Sequence, residues 1–61
     1  MVRMVRKIKI FTTFQDVAAL QVEINGWLSE NPDIRIFQTL QSEISTQQGW
    51  NLIITFLYEA E

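Results

Sequence analysis

The stretch Trp50-Asn51-Leu52-Ile53-Ile54-Thr55-Phe56-Leu57-Tyr58 decides the fold. In an extended chain successive side chains point to opposite faces. Trp50, Leu52, Ile54, Phe56 and Tyr58 therefore share one side, and Asn51, Ile53, Thr55 and Leu57 the other. Both sides are largely apolar, the mark of a strand covered on both faces, so the segment belongs at the centre of a sheet. Its β-branched and aromatic content suits a strand. The apolar run is also far short of the roughly 20 residues that cross a membrane as a helix.

Upstream, the polar run Ser45-Thr46-Gln47-Gln48-Gly49 reads as a hairpin turn, with Gly49 free to take positive φ. Before it, Asp33 to Ile44 alternates, placing Ile34, Ile36, Leu40 and Ile44 on one face. Arg35, Phe37, Thr39, Gln41 and Glu43 take the other. Asn31-Pro32 marks the end of a helix, since proline disfavours helical geometry at the residue before it and cannot extend the hydrogen-bond ladder. That helix carries a stripe of Val17, Ile24 and Leu28 widened by Leu20 and Trp27, with Val22 stranded on the outer face. Thr12 or Thr13 serves as its N-cap, with Gln15 or Asp16 completing a capping box. Gly26 inside the helix implies either a close approach to the sheet or a loosening last turn.

The first strand is expected from Val5 to Thr12, with Ile8 and Ile10 on one side and Lys7, Lys9 and Phe11 on the other. The order is then β-α-β-β, an α+β fold whose three-stranded sheet runs 1-3-2 with one helix packed on one face. A right-handed crossover joins the first two strands and a hairpin the last two. Residues 1–61 form one domain, with the first three or four residues and the last two free to fray.

Lys7-Ile8-Lys9-Ile10-Phe11, the helix with Val22, Asn25, Trp27 and Leu28, the segment Pro32-Asp33-Ile34, and Asn51 to Glu59 with its Tyr58-Glu59 ending resemble the small sporulation-associated proteins of bacilli and their uncharacterised relatives. The resemblance covers most of the chain. It implies the same fold and a bacterial origin, and it brings no catalytic residue. Chain length and element order also resemble the dodecins, flavin-storing proteins that assemble as dodecamers. Their flavin-stacking tryptophan lies in the second strand, where this sequence has Phe37.

A 61-residue chain buries only roughly 60% of the surface it exposes when unfolded, so a core of this size needs reinforcement. With no cysteine and no histidine, neither a disulfide framework nor a thiolate–imidazole zinc site can supply it, which leaves self-association. The same absences remove the commonest general bases and nucleophiles. No enzyme, metal site or cofactor is therefore expected. Asp16, Glu23 and Glu30 recur at sevenfold spacing and read as a solvated helix face; Trp27 and Trp50 read as core.

Net charge is −2, yet four of the five basic residues, Arg3, Arg6, Lys7 and Lys9, lie in the first nine positions. The sheet face away from the helix is expected to gather Lys7, Lys9, Phe11, Arg35, Phe37, Ile53 and Leu57. One helix cannot cover both faces, so this apolar and basic face is assigned to a homo-oligomer interface. The alternative is a ligand-binding surface for nucleotide, flavin or single-stranded RNA, with nucleic acid held by stacking on aromatic rings beside positive charge. No leader or membrane segment is read from the sequence, and a cytoplasmic protein is expected.

Overall fold

A computed structural model describes residues 3–61; the expected fraying of Met1 and Val2 lies outside them. Strand β1 spans Val5–Phe14, helix α1 Val17–Glu30, strand β2 Arg35–Thr46 and strand β3 Gly49–Ala60. The sheet order is β1-β3-β2, with β3 antiparallel to both neighbours. The doubly apolar segment is the central strand, as its pattern predicts.

The helix starts later than expected. β1 runs on through Phe14, and Gln15, at φ 55°, turns the chain while its N–H donates to the Trp50 carbonyl at 3.2 Å. Asp16 is the N-cap, its carboxylate accepting from the Ala19 N–H at 2.9 Å, while the Thr13 hydroxyl donates to the Asp16 carbonyl at 3.0 Å. A carboxylate accepts more strongly than a hydroxyl at orphan helix donors, so the cap falls to Asp16. The stop is where Asn31-Pro32 puts it. Asn31 caps α1, its side-chain amide donating to the Trp27 carbonyl at 2.8 Å and its N–H to the Leu28 carbonyl at 3.3 Å.

Leu20, only 2% exposed, centres the core with Phe11, Leu52 and Phe56, and Ile24, Trp27, Trp50 and Ile54 pack around them. The core-facing helix stripe is thus buried Leu20 with half-buried Ile24 and Trp27; Val17 and Leu28, expected at its centre, lie at its exposed flanks. Trp27 fixes this phase. Its ring stacks on Phe56 at 5.6 Å and meets Phe11 and Tyr58 edge to face at 5.6 and 5.1 Å. Gly26 makes no close approach: a Cβ there would find nothing within 4 Å.

The turn is tighter than the polar run suggests. Only Gln47 and Gln48 separate the strands, and Thr46 lies opposite Gly49. Gly49 takes φ 144°, and a side chain there would run into Gln15 and the Phe14 ring. The Thr46 hydroxyl donates to the Gly49 carbonyl and accepts from the Gln48 N–H. At the other end Ala60 pairs with Val5, so β3 enters the stretch expected to fray.

Candidate interface on the open sheet face

Which side of each strand faces the helix follows from register, because residues opposite each other in an antiparallel pair project to the same face. Phe11 lies opposite Ile54, Lys9 opposite Phe56 and Lys7 opposite Tyr58. All three β1 residues are thus on the helix side, where the Lys9 ammonium sits 5.3 Å from the centre of the Phe11 ring. The expected face does not assemble as one. Lys7, Lys9 and Phe11 belong to one side of the sheet; Arg35, Ile53 and Leu57 belong to the other. The physical reason is that Phe11 buries more apolar surface against Trp27 and Phe56 than Ile8 or Ile10 would, so β1 takes the opposite phase.

Phe37 joins the open side by a different route. Arg35 pairs with Glu59 and Ile36 with Tyr58, but the next pair is Gln38 with Leu57, so Phe37 is the extra residue of a β-bulge. The Arg6 guanidinium stands 5.2 Å from the centre of its ring. Arg6 and Arg35 flank Glu59 from the two neighbouring strands. The bulge also splits the isoleucine–leucine series of β2. Ile36 lies on the helix side with Tyr58, whereas Leu40 and Ile44, opposite Thr55 and Asn51, lie on the open side.

The open face is therefore larger and more apolar than the sequence reading made it. From β1 it takes Ile8 and Ile10, 64% and 58% exposed, and Phe14; from β2 Phe37, Leu40 and Ile44; from β3 Ile53 and Leu57. The ionisable groups that the strands place there are Arg6, Arg35 and Glu59, all at one end. A two-residue turn at Gln47-Gln48 was the signal that could have found Leu40 and Ile44. With Thr46 opposite Gly49, counting back sets Ile44 against Asn51 and Leu40 against Thr55.

The helix side offers little chemistry. α1 lies over β1, and every residue of β2 is exposed. This leaves an apolar groove of about 210 Å³ lined by Val17, Leu20, Gln21, Ile24, Leu52 and Ile54. Among the described residues no three His, Cys, Asp or Glu side chains come together as a metal site, and no helix is long and apolar enough to cross a membrane. No protein-family model, curated protein or solved structure matches this chain.

Proposed function

We propose that the chain is a small, non-enzymatic, homo-oligomeric structural or interaction protein of the bacterial cytoplasm, and that copies meet through the open sheet face. The observation that carries this reading is the set of apolar side chains that the register gathers on the open face, Ile8, Ile10, Leu40, Ile44, Ile53 and Leu57, with only uncharged Thr12, Gln38, Ser42, Asn51 and Thr55 between them. The amount of exposed surface supports it. A compact monomer of 7.2 kDa exposes about 4,100 Å², whereas this chain exposes 4820 Å². The excess, roughly 700 Å², is close to the ~800 Å² each partner contributes to a standard interface. Shape agrees: the Cα radius of gyration is 13.6 Å, against about 10.5 Å for a compact chain of this length. The bacterial part of the proposal rests on the sporulation-type resemblance, and the cytoplasmic part on the default expectation set out from the sequence.

Ile10→Asp tests the face. In the separated chain the carboxylate stays in water, but in the assembly it is an uncompensated charge in a desolvated patch, costing about 3 kcal/mol or more. The dissociation constant should rise on the order of 100-fold, read as a fall in mass by light scattering with the circular dichroism spectrum unchanged. Ile8→Asp should repeat the result. A parent chain that stays at 7.2 kDa at high micromolar concentration overturns the reading.

A second reading rests on the Arg6–Phe37 stack beside Arg35, a basic aromatic corner suited to a phosphate-bearing ligand with a flat ring, in the class of nucleotide, flavin or single-stranded RNA. Purified protein carrying absorbance near 260 or 450 nm, lost with Arg6→Glu and Arg35→Glu at unchanged mass, would favour it.

A further inference from the structure

The two free edges of the sheet are built differently. β1 carries Arg6, Lys7 and Lys9 and no acidic residue, so two copies brought together along that edge repel, a common guard against edge pairing. β2 lacks this guard after its bulge. From Gln38 to Thr46 it holds a single charge, Glu43, and no proline. All nine residues are exposed, and β3 satisfies the backbone groups on one side only.

We propose that Gln38–Thr46 pairs antiparallel with the same segment of a second copy, Ser42 opposite Ser42, joining two three-stranded sheets into one of six. The sequence is self-complementary in this register. Leu40 meets Ile44 twice, Gln41 meets Glu43 twice, Thr39 meets Ser45 and Gln38 meets Thr46. Leu40 and Ile44 are 49% and 50% exposed in the single chain, and across the join they cover each other. Neighbouring registers do worse. Centring on Gln41 sets Leu40 against Ser42 and Ile44 against Gln38, and centring on Glu43 sets two carboxylates face to face. This self-complementarity, in charge and in apolar pairing, is what makes a second copy the occupant.

The two-fold axis of such a join is normal to the sheet, which leaves both open faces on one side and both helices on the other. Face-to-face packing has its two-fold axis in the plane between sheets. Perpendicular two-folds close on four copies: two six-stranded sheets packed through their open faces, with helices outside. This four-copy form rests on the proposed face interface; the edge pairing itself does not.

The test is the mass of the full chain and of variants at position 41, which is exposed and on the helix side, opposite Ile54, so that it leaves the open face untouched. The parent should measure four times 7.2 kDa, about 29 kDa. Gln41→Glu sets a carboxylate directly opposite Glu43 at two places and should halve the mass. Gln41→Lys sets an ammonium there instead and should hold the parent mass to several-fold lower protein concentration, with both effects fading in 1 M salt. Gln41→Glu with no loss of mass, or Gln41→Lys weakening assembly as much, overturns the edge pairing. Ile10→Asp separates the two interfaces: a fall to two copies supports edge pairing, and a fall to single chains overturns it while keeping the face. A two-copy parent split by Gln41→Glu and indifferent to Ile10→Asp keeps the edge and overturns the face.

Discussion

Ile10 and Phe11 are neighbours in sequence and lie on opposite faces of the same sheet, one more than half exposed and the other buried. Over β1 and β3 the helix side is packed by four aromatic rings, Phe11, Trp27, Phe56 and Tyr58, in edge and stacked contact, while β2 stays exposed. The open side carries mainly aliphatic residues, with Phe14 and Phe37 at opposite ends and, among the described residues, no helix over them. Aromatic burial decides which side the helix takes, because one ring buries more area than one aliphatic side chain and gains directional contacts as well. The face left over is apolar for the same reason that β3 is central: β3 is built to be covered on both sides, and one helix supplies one cover.

The contrast is broken most directly by truncating each neighbour. Phe11→Ala removes a ring from the core and should cost about 3–5 kcal/mol at any protein concentration. Ile10→Ala should cost less than about 1 kcal/mol in dilute solution, where chains are separate, and more as concentration rises, because only assembly buries Ile10. Thermal melts at two concentrations separate the two effects. Equal loss from both substitutions in dilute solution would mean that the helix does not distinguish the faces as described.

What the sequence made legible and what it hid divide along the same line. Element order and the central place of β3 were readable because a doubly apolar strand and the Asn31-Pro32 stop are each set by local chemistry. The phase of β1 was hidden. Alternation reveals that two faces exist but not which one meets the helix, and here both candidates, Phe11 against Ile8 and Ile10, are apolar. The phase of β2 was hidden by the bulge at Phe37, since one extra residue sends Ile36 and Leu40, of the same numerical parity, to opposite faces. The candidate site suffered accordingly. Alternation puts Arg35, Phe37, Ile53 and Leu57 on the open face, where the register also has them, but it puts Lys7, Lys9 and Phe11 there as well, and the register turns those three to the helix side.

A smaller effect sharpens the comparison where the chain passes from the open-face residue Phe14 to the helix. Asp16 holds the first turn of α1 by accepting from the Ala19 N–H, and Asp16→Ala should cost about 1 kcal/mol. Thr13→Ala, which removes a hydroxyl bonded to the Asp16 carbonyl and not to a free helix N–H, should cost less. Denaturant melts of the two variants rank the caps. The reverse ranking would return the N-cap to the threonine.

The smallest expected change runs in the stabilising direction and probes how closely the helix sits on its face of the sheet. Gly26 lies inside α1, where glycine costs about 1 kcal/mol relative to alanine because it surrenders more backbone freedom on folding. It would be retained for packing if the helix backbone pressed on the sheet there, yet a Cβ at this position meets no atom within 4 Å. The core contacts of this turn are made next door, by Trp27 against Phe56 and Tyr58. Gly26→Ala should therefore raise stability by about 0.5–1 kcal/mol, measured as a higher denaturation midpoint at unchanged slope. Loss of stability would place the helix backbone against a neighbour at that turn. In the separated chain that neighbour could only be the sheet; if the loss appeared only at concentrations where copies associate, the outer side of α1 would be a third surface of contact.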